Sequence, residues 1–441
     1  MPLSLPIRSL VPSASRLRTW LVPLVMATAA LAGCGGNGSS SSGQATVRAL
    51  NLASDQGALS LLADDTELFS GVAADGLSGD TTLATGTYSL KVRSPGSTTN
   101  LVTQSQSVTQ DVHYLALIWG RSNALRVSML TEDQDSSAIA SGNARLRLVN
   151  ATIDSGPVDV YLTTTSADLA DSSPVLTSVG SGGISGFKEL SAGTYRLRIT
   201  GAGDPADVRL DVPTFTLTAQ QHATFVATAG ASGVLLHGAA VPQRDTLSLF
   251  KNVQARMRVV AGVESGGTVG VTLGTRTLAG SIRSPSVGPY TVVDAATASL
   301  VVRINGVALA AQQQTLVAGT DYTLLVSGTA AAPAVNRITD DNRLPVTTSR
   351  MRIRLVNGTS GFDPLALSVD FSAVASDVPA GQASSYVTLV SNPSAGVDVT
   401  SPSAAAPLFS VTGANLQSQG VYTVFMLGGN AAPTGVIRKE R

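Results

Sequence analysis

The run Ala144-Arg145-Leu146-Arg147-Leu148-Val149-Asn150 alternates charged and apolar residues with a period of two, as a strand with one buried face requires. The chain then repeats it. Ser349 to Asn357 carries Arg350-Met351-Arg352-Ile353-Arg354-Leu355-Val356, and Ala255 to Ala261 carries Arg256-Met257-Arg258-Val259-Val260. Val47-Arg48-Ala49-Leu50-Asn51 is a shorter fourth copy. With Asn51, Asn150, Ala261 and Asn357 as equivalents, the copies lie 99, 111 and 96 residues apart. Arg48, Arg147, Arg258 and Arg354 each stand three places before that mark. A repeat of this period is one domain with its own core, written four times.

Further strands follow at matching offsets. Leu59 to Leu62, Val158 to Leu162, Val269 to Leu273 and Leu367 to Phe371 alternate again. A third element is clearest in Ala84-Thr85-Gly86-Thr87-Tyr88-Ser89-Leu90-Lys91-Val92 and Ser191-Ala192-Gly193-Thr194-Tyr195-Arg196-Leu197-Arg198-Ile199. The third copy places it around Pro289-Tyr290 and Leu300 to Ile304, the fourth around Gly381 to Leu389. A Tyr entering a strand after a turn is the tyrosine corner of immunoglobulin-like sandwiches. Each copy closes on an apolar strand: His113 to Trp119, His222 to Ala227, Asp321 to Val326, and Val421 to Met426. The expected fold is all-β, four tandem immunoglobulin-like β-sandwich domains in a row, at 45–135, 143–243, 254–340 and 349–437. The 43 Gly and 20 Pro suit many short strands and turns.

These strands together resemble the bacterial repeats called domain of unknown function 4397, over most of residues 45–437. The resemblance implies an exported β-repeat and lends no catalytic residue.

The start of the chain reads as an address. Arg8, Arg16 and Arg18 precede an apolar run from Trp20 to Ala32, the pattern of a secretory signal over 1–33. It ends in Leu31-Ala32-Gly33-Cys34, which resembles the bacterial lipobox. That family joins diacylglycerol to the cysteine, so Cys34, the single cysteine, is the expected lipidation site. Gly35 in place of Asp after the cysteine resembles the outer-membrane sorting pattern of Gram-negative lipoproteins. Residues 34–44 then form the lipidated Cys and a Gly/Ser tether, with an average reach of roughly 16–19 Å.

Charge and motifs exclude several classes. Beyond residue 33 the chain has 26 basic and 29 acidic residues, without the basic excess of a nucleic-acid protein. No Gly-x-Ser-x-Gly elbow or Walker motif occurs, and Gly201 to Ala206 reads as a hairpin turn rather than a dinucleotide loop. Three histidines (His113, His222, His237) lack zinc spacing and read as structural or surface residues. No catalytic, cofactor-binding or metal-ligating residue is nominated, and no cofactor is expected.

Two acidic joints, Glu132-Asp133-Gln134-Asp135 and Asp340-Asp341-Asn342, read as solvated linkers, with Ca²⁺ ligation as the alternative. The paired arginines of the repeated strand read as the wet face of a sandwich, with a basic strip for anionic polysaccharide or lipid head groups as the alternative. Trp119 reads as core or interface packing. The expected role is a cell-envelope lipoprotein, anchored to the membrane and probing an envelope or extracellular protein or glycan by non-catalytic binding or adhesion. A periplasmic assembly factor is the second reading and an envelope enzyme the third; which face of the outer membrane carries the domains stays open.

Overall fold

The computed structural model describes residues 43–132 and 138–441. The signal, Cys34, most of the tether and residues 133–137 of the first acidic joint lie outside the described residues.

The four copies of the repeated strand are Gln44–Ala53, Asn143–Ala151, Gln254–Val263 and Arg350–Thr359. Each lies parallel to the closing strand of its own copy: His113–Gly120, His222–Ala229, Asp321–Gly328 and Val421–Gly428. That strand in turn pairs antiparallel with a last strand, Arg126–Thr131, Leu236–Pro242, Pro333–Asp340 or Thr434–Lys439. The sequence shows these last strands only as short segments after the apolar run. A second sheet of each copy holds the hairpin strands, such as Leu59–Ala63 with Gly86–Arg93 and Val158–Thr163 with Gly193–Gly201. Two sheets per copy give four β-sandwiches.

Between the two sheets the period of two does its work. Ala144, Leu146 and Leu148 point inward and meet Val160, Leu197, Ile199 and Phe225 in a single apolar core. The other three copies build the same core from equivalent positions. At about 25 cal/mol per Å² of apolar surface, such burial is the main force holding each sandwich.

The marked asparagine explains why the motif ends where it does. Asn150 is fully buried, and its Nδ2 donates to the Gly156 and Val179 carbonyls at 3.0 and 2.9 Å. Asn51 and Asn357 make the same pair of bonds, to Gly57 and Val72 and to Phe362 and Val378. Each thereby ties the loop leaving the strand to the end of a later one, at Val72, Val179 or Val378. The third copy has Ala261 at this place. There Ser284 Oγ accepts the Val263 N–H at 3.1 Å, filling the role that Asn51 Oδ1 plays toward the Ala53 N–H.

The tyrosine corners form as expected. Tyr88 Oη donates to the Ala84 carbonyl at 2.9 Å and Tyr195 Oη to that of Ser191 at 2.7 Å. A second set lies on the closing strands, where Tyr114, Tyr322 and Tyr422 each accept a backbone N–H from five residues upstream. The hairpin reading of Gly201 to Ala206 holds, because Gly193–Gly201 turns directly into Asp204–Leu217.

Three placements need correction. In the fourth copy the third element is Asn392–Thr400, not Gly381 to Leu389, since Val387–Val390 pairs with the repeated strand in the other sheet. In the third copy Thr297–Ile304 alone is that element, and Tyr290 belongs elsewhere. The second strand of the fourth copy also ends at Val369, leaving Asp370 and Phe371 in its turn.

Candidate functional site

The charged face of the repeated strand is not wet. Arg48, Arg147, Arg258 and Arg354 are between 1% and 5% exposed. The sheet that carries each is covered a second time, by the same sheet of the neighbouring copy. In the first pair, Leu50, Leu117 and Trp119 of one sandwich meet Val149, Val226 and Val241 of the next. In the second pair, Val260 and Leu325 meet Val356, Phe425 and Leu427. The closing strands are apolar on both faces, as strands buried from both sides are. That unbroken run is the signal in the sequence for a covered sheet.

The arginines lie at the edge of these apolar seams and pair across them. Arg258 of the third sandwich donates to Glu440 of the fourth at 2.6 Å, while Arg354 of the fourth is ion-paired with Asp340 of the third. The exchange is reciprocal, like the contacts at a two-fold axis. Each guanidinium also donates through Nε to a threonine of its own closing strand, Thr323 or Thr423. An aromatic ring covers it from the side: Tyr290 lies 4.5 Å from Arg258 and Tyr386 lies 4.6 Å from Arg354. Planar guanidinium suits this stacking where ammonium does not. Burial opposes both charges. Yet Tyr290 and Glu440 around Arg258, and Asp340 around Arg354, hold the two pKa values above the ordinary arginine range.

The first pair is built differently. Glu132 bonds Arg48 of its own sandwich, and Arg48 also donates across the seam to the Asp245 and Pro242 carbonyls at 2.7 and 3.1 Å. Arg147 donates to Thr224 Oγ1 at 2.9 Å and to the Thr131 carbonyl at 3.1 Å, with Phe187 at 4.6 Å. Gln243 occupies the place that Glu132 and Glu440 hold in their copies, each donating its backbone N–H to the first residue of the closing strand. With one acid fewer, burial dominates at Arg147 and draws its pKa down to about 10, against the pull of Glu132.

The two pairs join through the loop 152–156 of the second sandwich. Asp154 takes Arg121 of the first sandwich at 2.5 Å, and its carbonyl accepts the Leu344 N–H from the linker before the fourth. Arg441 donates to the carbonyls of Ser155 and Gly233 at 2.5 and 3.1 Å. Burial, then Arg209, pulls the Arg441 guanidinium down to about 9.

The second acidic joint is neither a solvated linker nor a calcium site. Asp340 and Asn342 are buried, and Asp340 Oδ2 accepts from Tyr290 Oη and Thr323 Oγ1 at 2.7 and 2.6 Å. Asn342 donates to Asp321 at 2.7 Å, and Asp341 is paired with Arg343 and Arg352. Oxygens already engaged by this many donors are oriented for hydrogen bonds, not for a cation. Among the described residues no cluster of three or more His, Cys, Asp or Glu is placed to hold a metal. Of the first joint only Glu132 is described, and it too is buried, against Arg48. The expected lipidation residue, Cys34, lies outside the described residues.

Trp119 packs in the first seam, as its strand suggests, with Nε1 donating to Ser128 at 2.9 Å. His113 and His222 begin their closing strands, and the ring of His222 meets Phe187 edge-on at 5.1 Å. Open clefts among the described residues include two beside the seams. One of 540 Å³ lies between the third and fourth sandwiches and is walled by Arg337, Arg352, Arg354 and Tyr386. The other, of 760 Å³, lies where the first and second sandwiches face the linker and fourth sandwich.

Residues 45–161 match the family described as domain of unknown function (DUF4397), and the resemblance read from the sequence is borne out over that segment. No curated protein matches the chain. Among solved structures, a candidate cell adhesion protein from Bacteroides ovatus is 13% identical, covering 46% of this chain and 98% of its own, with a TM-score of 0.19. A second such protein, from Bacteroides uniformis, is 12% identical, covering 45% and 98%, with a TM-score of 0.18. The protein SGBP-B of a Bacteroides ovatus mixed-linkage glucan utilization locus, solved with a heptasaccharide, is 11% identical over 82% of this chain and 91% of its own, at a TM-score of 0.11.

Proposed function

We propose that the chain is a cell-envelope lipoprotein that presents its four sandwiches as one block for non-catalytic binding or adhesion. The observation that carries this reading is where the charge goes. Its most buried arginines and acids join one repeat to the next and leave the outward loops and clefts to meet a partner. Such chemistry makes a shaped surface; it does not assemble a nucleophile, a base and an oxyanion site around one point. The lipobox-like Leu31-Ala32-Gly33-Cys34 supports attachment through acyl chains, and several chains hold far better than one.

The test is labelling of sealed cells with a membrane-impermeant amine reagent, since Lys188 and Lys439 are both exposed on the block. Labelling of the wild type before the outer membrane is opened, with Cys34→Ala released from the membrane fraction, is the expected result. Labelling only after opening favours the periplasmic assembly reading instead. A Cys34→Ala protein that stays in the membrane fraction overturns the lipid anchor.

A further inference from the structure

We infer that the 760 Å³ cleft is a binding site for a carboxylate-bearing saccharide chain, an inference that rests on the binding role proposed above. Its lining comes from separate parts of the sequence: Trp119 and Arg126 of the first sandwich, Ser178 and Gly182 of the second, and Thr348 and Gln419 of the linker and the fourth. A cleft walled by several domains that already hold one another rigidly is a usual place for a ligand.

The chemistry of the walls selects the ligand. None of the residues around the cleft is acidic. The single cation, Arg126, is exposed, and its guanidinium lies 5.9 Å from the Trp119 ring. Among the described residues that guanidinium makes no ion pair or hydrogen bond, unlike Arg48, Arg258 and Arg354. It is a forked donor held over an indole with its hydrogen-bonding edge open, a geometry that takes a carboxylate. Hydroxyls and amides surround it, as a polyhydroxylated chain requires. Gly182, at φ +73°, lies close against the indole: a Cβ there would come within 3.2 Å of Trp119 Cη2. In the 540 Å³ cleft, by contrast, Arg352 and Arg354 are already neutralised by Asp341 and Asp340, and Arg337 donates to the Thr315 carbonyl.

Trp119 also supplies the readout. Trp20 and Trp119 are the two tryptophans of the chain, so the full chain carrying Trp20→Phe has one indole, at the cleft. Oligogalacturonate should change its emission saturably, and binding should weaken as salt is raised. A neutral cello-oligosaccharide of equal length should bind at least tenfold more weakly, and Arg126→Ala should cost oligogalacturonate about tenfold, the value of one charge-assisted contact. Because Arg126 is exposed, that variant should unfold at the wild-type temperature. No saturable change with either saccharide overturns the inference, as does equal affinity of wild type and Arg126→Ala. Calorimetric binding with a silent indole and no dependence on Arg126 overturns this cleft while leaving the binding role intact.

Discussion

His237 shows how a single side chain can set a pH limit. Its Nδ1 accepts the backbone N–H of Asn252 at 3.0 Å, so the imidazole is neutral and holds the segment that enters the third sandwich. Burial, helped by nearby Lys251 and opposed by Asp75, pulls its pKa from 6.5 to about 4. Unfolded chain therefore binds a proton in the window from 6.5 down to 4 that folded chain refuses. Its contribution is complete above the upper value and is lost as pH falls toward the lower. Urea midpoints at pH 7, 5.5 and 4 should drop progressively. His237→Gln, which keeps an acceptor but does not titrate, should show a shallower drop; an identical slope would remove His237 as the cause.

At the scale of elements, the corner and the strand do separate work. Tyr195 fixes the entry into Gly193–Gly201 through one bond to the Ser191 carbonyl, while its ring packs on the core of the second sandwich. Tyr195→Phe keeps the ring and loses only the bond. It should cost about 1 kcal/mol in denaturant unfolding. A change near zero would mean that the hydroxyl serves water as readily as the carbonyl. The repeated strand is the element on which reading from sequence both succeeds and fails. Its alternation correctly sends Leu146 and Leu148 into the core. It also sends Arg145 and Arg147 away from that core, yet both are buried, Arg145 against Glu189 and Arg147 across a seam to the Thr131 carbonyl. Period two reports which residues share a face; it does not report what covers the face.

The third and fourth sandwiches are held by a seam in which buried charge is exchanged between them. Arg258→Met leaves Glu440 buried without its cation and should destabilise the fold by about 3–5 kcal/mol. Arg258→Met with Glu440→Met removes both charges and should recover most of that loss, because apolar replacement of a buried pair is often neutral. Chemical denaturation of the two single variants and the double gives the coupling; simple additivity would show that the pair does not act across the seam. The third and fourth sandwiches should part first in Arg258→Met. In the first pair one acid is replaced by Gln243, so the seam there depends more on Leu50, Leu117, Trp119 and Val226.

From the sequence alone came the repeat, the four-sandwich architecture, the core positions and the tyrosine corners. All of these follow from interactions local in the chain: side-chain period, turn residues and the spacing of strands. Tertiary structure alone decided that Asp340 and Asn342 are buried partners and not a linker, that Arg258 meets Glu440, and that Arg441 reaches the loop at Ser155. These contacts join residues up to 286 positions apart. Whether a charged face meets water or another charged face depends on how finished domains dock. No period written within one strand carries that information.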